Sequence, residues 1–397
     1  MIEGFYTRAE LEVVKAPQSL LPQCGACGLY RSCNSPKMPP SSGSKRILIV
    51  GDFPGQEDDT QGKHFAGESG KYLRDKIRKC GLDPNKEVSY TNALICHPKH
   101  NKVTDPRMIE YCRPNIIDTI ERLKPEVIIP LGQKAIESVV GWLWKEKVGE
   151  ESKWIGWAIP SQRLNAWVVP NYHPSYMIRM NNKLYDMHFM DTLKKALGKT
   201  ARPWKTVPDF RKKVQIVINE KEAAKEIRLM MAFGKPLAFD YETNMLKPDS
   251  ASASIVSCAL SDGQTAIAFP MQGEAQEALK TVLESGLPMI AANLKFEQRW
   301  TMAKLKTRVK KWHFDTVLGS HVLDERQGTA GVKFQSFVRL GQESYDDHIK
   351  PYLQAKRSNT PNRIRQIPID ELLMYNGLDA LLEYKLTQLH RKELDLP

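Results

Sequence analysis

No apolar run in this 397-residue chain approaches the roughly twenty residues that cross a bilayer. The opening stretch, MIEGFYTRAELEVV, lacks the apolar core of a secretory leader. Cysteine is scarce and unevenly spread. There are seven, Cys24, Cys27, Cys33, Cys80, Cys96, Cys112 and Cys258. An odd count this scattered argues against a disulfide framework and for reduced thiols, some of them ligands. Charge balance is missing as well. The formal net charge is +12, which suits a polyanion such as nucleic acid and equally a plain solvated basic surface. These absences predict a cytoplasmic protein with no membrane partner. The length is enough for two or three domains.

What is present centres on residues 46–73, RILIVGDFPGQEDDTQGKHFAGESGKYL. Ile47 to Val50, closed by Gly51, read as a buried parallel strand. Asp52, the acidic trio Glu57, Asp58 and Asp59, and Phe65 in a polar loop follow it. Carboxylates and an aromatic just past a strand lie where open α/β sheets hold ligands. SYTNALIC, PEVIIPLG and residues 166–169 read as further strands. Ile109, Ile116, Ile117, Ile120 and Leu123 recur at helical spacing. Alternating strands and helices predict a parallel sheet covered on both faces. Cys24 and Cys27 form a CxxC that can aim two sulfurs at one metal. Cys96 ends SYTNALIC and Cys112 lies on the helix after it. Residues alone leave an iron–sulfur cluster, a zinc site and buried thiols open.

GDFPGQEDDTQGKHFAGESG resembles the first motif of the iron–sulfur (family 4) uracil-DNA glycosylases, and the likeness runs over roughly residues 20–195. Two positions depart from the usual motif: Asp52 stands for glutamate and His64 for proline. The resemblance implies a [4Fe–4S] cluster on Cys24, Cys27, Cys96 and Cys112. It implies Phe65 as the stacking platform for a flipped base and Asn92 as reader of the uracil edge. It implies His173 as donor to O2, and Asp52 or Asp58 as the carboxylate that places the water.

Residues 200–213 mix proline with basic residues and read as a linker between domains at 1–199 and 214–397. In the second domain, Asp240 and Glu242 alternate on a strand, so both carboxylates face one side. Residues 254–271 read as a hairpin about Asp262–Gly263. Tyr375 and Asp379 are four apart on the last long helix and share a face. DxE, NxKFx, FDT and YxxxD in this order resemble the proofreading 3′–5′ exonuclease domain of family A DNA polymerases, in its DEDDy class. That implies an RNase H-like mixed sheet. It implies two Mg²⁺ or Mn²⁺ ions on Asp240, Glu242, Glu297 and Asp379, with glutamate at 297 where the family has aspartate. Tyr375 would orient the attacking water, Asn293 would support the site or touch the substrate strand, and Asp315 of FDT would pack. Residues 341–368 read as a DNA-contacting loop or a flexible insertion.

The expected fold class is α/β: a parallel-sheet glycosylase-like domain followed by an RNase H-like exonuclease domain. The expected function is removal of uracil or a related base plus 3′ trimming of DNA, with single strands or 3′ ends as partners. The alternative is a polymerase accessory module whose first domain senses DNA without cutting it. No polymerase palm motif follows Asp379, so a separate polymerase subunit, or a longer chain of which this is the front, is expected; resemblance to viral replication proteins fits a phage source.

Overall fold

The computed structural model describes residues 21–355, 357 and 360–397. The opening stretch without a leader core lies outside them, as do three residues of the basic segment. Two compact units meet between Pro203 and Trp204 in the chain.

In the first unit, β1 (Ile47–Gly51), β2 (Ser89–Asn92), β3 (Val127–Pro130), β4 (Ile159–Ser161) and β5 (Ala166–Val168) form one sheet in the order β2-β1-β3-β5-β4. β1 runs parallel to β2 and β3, and β5 parallel to β3. β4 is an antiparallel edge, too short and proline-bearing to show an alternation. All of β1 is buried, as a strand covered on both faces must be. The helices are α1 (Cys24–Cys27), α2 (Gln56–Gln61), α3 (Glu68–Lys79), α4 (Arg107–Leu123), α5 (Gln133–Leu143), α6 (Pro174–Met180) and α7 (Lys183–Leu197). Ile109, Ile116 and Ile120 are the buried isoleucines of α4. The segment SYTNALIC is a strand only as far as Asn92. Ala93 and Leu94 still donate to the Gly51 and Asp52 carbonyls, at 2.8 and 3.1 Å, but Cys96 lies beyond the ladder.

The stretch read as a linker is mostly exposed but is anchored at several points. Trp167 Nε1 donates to the Ala201 carbonyl at 3.0 Å, and Arg202 to the Asn165 carbonyl at 2.9 Å. Phe210 is buried in a core cluster of the second unit.

The second unit has β6 (Val214–Ile216), β7 (Leu237–Thr243), β8 (Ile255–Ser261), β9 (Ala266–Pro270), β10 (Met289–Ala291) and β11 (Trp312–Asp315), in the order β11-β10-β7-β8-β9-β6. β7, β8 and β9 form an antiparallel meander, while β10, β11 and β6 join in parallel. The β8–β9 hairpin turns at Asp262–Gly263. Asp262 Oδ1 accepts the Gln264 and Thr265 N–H groups, both at 2.8 Å, and Gly263 takes a φ of +83° that favours glycine. Helices α8 (Glu220–Ala232), α9 (Gly273–Glu284), α10 (Leu294–Trp300), α11 (Thr316–Leu323), α12 (Val332–Leu340), α13 (Lys350–Leu353) and α14 (Ile369–Glu393) complete it. α14 lies across β6 to β9 and is buried around most of its circumference. Gly377 permits this, since a Cβ there would stand 2.3 Å from Val214.

The polar segment at 341–368 is anchored rather than free in its described part. Tyr345, Ile349, Ile364 and Ile367 are buried, and Asn362 donates to the Thr243 carbonyl at 3.0 Å. Among the described residues no helix is long and apolar enough to cross a membrane.

Candidate active sites

The first site forms where β1 and β2 end. Asp52, Asp58, Phe65, Asn92 and His173 line one pocket of about 420 Å³, with Ser175 and Arg179 on its wall. That is within the size range of small-ligand sites. The close approach of Phe65 and Asn92 depends on Gly51, where a Cβ would stand 2.3 Å from Asn92 Oδ1 and 2.8 Å from the Phe65 ring. Phe65 itself takes a positive φ of +54°, which costs a bulky residue energy. α3 holds it there. Arg74 donates to the Phe65 carbonyl and, at 3.1 Å, to that of His64. A side chain at Gly70 would collide with the Phe65 backbone. The Phe65 ring lies 5.6 Å from that of Tyr90.

The two candidate carboxylates differ. Asp58 is committed to the loop, accepting the Gly55 N–H at 3.1 Å with one oxygen and the Ala66 N–H at 2.6 Å with the other. Asp52 accepts the Lys134 and Ala135 N–H groups at 2.8 and 2.9 Å, both through Oδ1. These are the first donors of α5, which a carboxylate satisfies well. Oδ2 is left for another donor. Burial raises the Asp52 pKa to about 6, against the pull of those two N–H groups. His173 caps α6, and its Nδ1 accepts the Ser175 N–H at 3.2 Å. In a neutral ring the hydrogen is then on Nε2. Burial, with the Arg179 charge second, lowers its pKa to about 4, so the ring is neutral near pH 7.

Cys24, Cys27, Cys96 and Cys112 line a second, smaller pocket together with Lys37 and Asn115. Cys96 Sγ accepts the Lys37 N–H at 3.2 Å, and Cys112 Sγ faces the Asn115 amide at 3.5 Å. Burial pushes the thiol of Cys96 up to about 12 and that of Cys112 to about 11. Thiolates here therefore need a cation beside them. Four thiols around one pocket are a donor set that fits a thiolate-held metal group, zinc or iron–sulfur. Cys33, a neighbour of Cys96, also presses on its pKa.

In the second unit Asp240 and Glu242 project from β7, and Asp379 comes from α14 to join them. Asp240 Oδ2 accepts the Asn376 amide at 2.7 Å. Burial first, then the neighbouring acids, raises the pKa of Asp240 and of Glu242 well above the usual range. Hard oxygen donors in mutual repulsion suit divalent Mg²⁺ or Mn²⁺. Glu297, read as a fourth ligand, is not in the tight cluster. It is buried on α10, where burial first and the Asp240 charge second raise its pKa, and its Oε2 has no partner. α10 is placed by Asp315, whose carboxylate accepts the N–H groups of Asn293, Leu294, Val317 and Leu318 at 3.0 to 3.1 Å. The longer glutamate therefore reaches from a helix whose start is fixed. Asn293 is exposed at that helix start.

Sequence reading missed three residues here. Lys333 on α12 pairs with Asp379, donates to Tyr345 Oη at 2.8 Å, and lies 4.3 Å from the centre of the Tyr375 ring. Tyr345 also donates to Asp379. Glu383, one helical turn past Asp379, is buried with an unpartnered Oε2. Its i+4 spacing from Asp379 was the available signal; Lys333 and Tyr345 carried none.

Residues 40–197 match the family described as the uracil DNA glycosylase superfamily, and residues 214–395 the family described as 3′–5′ exonuclease. A type-4 uracil-DNA glycosylase of Thermotoga maritima is 27% identical over 197 residues, covering 48% of this chain and 95% of that protein. One from Archaeoglobus fulgidus is 30% identical over 29% of this chain and 58% of its own length. A DNA polymerase of Bacillus phage SP01 is 24% identical over 89% of this chain but only 41% of the polymerase. The chain thus spans less than half of that polymerase, and less than two thirds of the Archaeoglobus protein. By these matches the chain joins two enzyme domains, one of the uracil DNA glycosylase superfamily and one of the 3′–5′ exonuclease family.

Proposed function

We propose that the chain excises uracil from DNA in its first unit and trims DNA 3′ ends in its second. The observation that carries the first half is the meeting of Phe65, Asn92, Asp52 and His173 in one pocket. A flipped uracil stacks on Phe65. The Asn92 amide accepts from N3–H and donates to O4. As the bond from C1′ to N1 breaks, negative charge grows on O2, and Nε2–H of neutral His173 donates to it. Asp52 orients a water toward C1′ and takes its proton, and Asp58 keeps the loop in shape. The cluster on Cys24, Cys27, Cys96 and Cys112 would tie α1 to α4. Purified protein should then contain iron rather than zinc.

In the second unit Asp240, Glu242 and Asp379, with Glu297 and Glu383 behind them, would hold the divalent ions. Bound there, such ions supply Lewis acidity and an activated water for phosphodiester hydrolysis. Tyr375, buried beside Lys333, would orient that water, Asn293 would support the substrate strand, and Lys333 would balance the acids until a cation enters.

A second reading keeps only the exonuclease active, in a replication module whose first unit grips DNA. It is favoured by the phage polymerase match, which crosses both units, and by the tie of Asp52 to α5. A labelled single strand with one uracil, incubated in EDTA and treated with alkali, separates the two. A break at uracil supports excision; an intact strand supports the second reading. Adding Mg²⁺ should then shorten the strand from its 3′ end.

The pKa of Asp52 makes a further prediction. With an apparent value of about 6, the ionised fraction falls about tenfold between pH 7 and pH 5. Single-turnover excision in EDTA should fall by the same factor, with its midpoint near pH 6. A raised carboxyl pKa means that the native state holds this proton more tightly than the unfolded chain. The Asp52 contribution to stability therefore grows as pH falls through 6, whereas buried His173, whose pKa is lowered to about 4, pulls stability down below about pH 6.5, so melting curves over the same range must accompany the rates. A flat profile from pH 7 to 5 would remove Asp52 from the chemistry.

A further inference from the structure

His64, where the glycosylase motif ordinarily has proline, is held at both ring nitrogens. It is buried, with 5% of its surface exposed. Nε2 lies 2.8 Å from the Pro39 carbonyl oxygen. A carbonyl only accepts, so Nε2 carries a hydrogen. Nδ1 lies 3.0 Å from Asn92 Nδ2. An amide nitrogen only donates, so Nδ1 offers its lone pair. Burial keeps the ring neutral, against the opposing charge of Asp58. Arg74 pins the His64 carbonyl at 3.1 Å, which fixes the backbone from which the ring projects.

One hydrogen of the Asn92 amide is thereby committed to His64. Asn92 keeps its other Nδ2 hydrogen and Oδ1, and Oδ1 lies above Gly51 beside the tip of the Phe65 ring. Uracil presents a donor at N3 and an acceptor at position 4. Cytosine presents an acceptor at N3 and a donor at position 4. Reading cytosine needs the same amide turned by half a rotation. Turned so, Oδ1 would face the Nδ1 lone pair of His64, acceptor against acceptor, in a buried place.

We propose that His64 is a positioning residue that sets base specificity: by accepting from Asn92 Nδ2 it locks the amide in the sense that reads uracil and excludes cytosine. The inference rests on the uracil-pocket reading above. Two buried acceptors in opposition carry roughly ten- to hundredfold discrimination.

The test compares single strands carrying one uracil or one cytosine, by excision and by equilibrium binding, in EDTA. His64→Leu, which fills the space without an acceptor, should lower the uracil-to-cytosine ratio about tenfold or more. His64→Gln, whose amide can both accept and donate, should restore most of that ratio. An unchanged ratio in a folded His64→Leu protein overturns the lock, as does a loss that glutamine fails to restore. Should His64→Leu not fold, nitrogen NMR of ¹⁵N-histidine-labelled wild-type protein at pH 7 decides. A neutral Nε2–H ring at His64 supports the lock; an Nδ1–H ring or an imidazolium overturns it. Wild-type protein that neither excises nor prefers uracil would defeat the uracil reading of the pocket, whereas the tautomer of His64 reports on the lock separately.

Discussion

Asp240→Asn is expected to slow Mg²⁺-dependent shortening of a single strand by about a thousandfold. Asp240, Glu242 and Asp379 place ligand atoms within 4.8 Å of one another, and under the proposed metal-dependent chemistry each would be a ligand. A bound metal is worth several kcal/mol to a developing oxyanion, and about 4 kcal/mol is a factor of a thousand. The substitution keeps the shape and an acceptor for the Asn376 amide, and replaces one charged oxygen with an uncharged NH2 donor. Because the acids repel one another, as the raised pKa values of Asp240 and Glu242 express, the variant in EDTA should melt no lower than the parent. Its uracil excision in EDTA should be unchanged. Shortening that survives Asp240→Asn, or excision that vanishes with it, would contradict the assignment of the two chemistries to separate units.

His173→Ala should reduce single-turnover excision of uracil by about a hundred- to a thousandfold, the usual cost of deleting one oxyanion donor. Affinity for the uracil strand should change much less, because the charge on O2 develops only as the glycosidic bond opens. His173 also caps α6, so about 1 kcal/mol of stability goes with it, and melting curves must accompany the rates. A variant that binds weakly but cleaves at the parental rate would show that His173 holds the ground state only. Mg²⁺-dependent shortening provides the internal control.

Much of this was legible in the chain. β1 announced itself by four apolar residues and a glycine, and every residue of it is buried. The β8–β9 hairpin follows from Asp262–Gly263, because that turn needs a side-chain acceptor and a positive φ. Tyr375 and Asp379 were placed on one helix face by spacing alone. The rest was hidden for physical reasons. β4 is three residues long, below the length at which alternation can be recognised. Asp52 and Asp58 look interchangeable in the sequence. They are separated only by which backbone N–H groups fold against them. Lys333 meets Asp379 across 46 positions, and no local pattern reports a long-range ion pair. His64 was visible as a departure from a motif, but its partner Asn92 lies on the neighbouring strand.

The left-handed backbone at Phe65 has a bearing on speed. The aromatic face is in place before any nucleotide arrives, since Arg74 and the space left by Gly70 hold the turn in the folded chain. The expense of ordering it was met during folding, not at capture. An extrahelical base arriving from a single strand should therefore dock at a rate governed by encounter, with no slow tightening phase, and the amides around the turn should exchange with solvent no faster once DNA leaves than while it is bound.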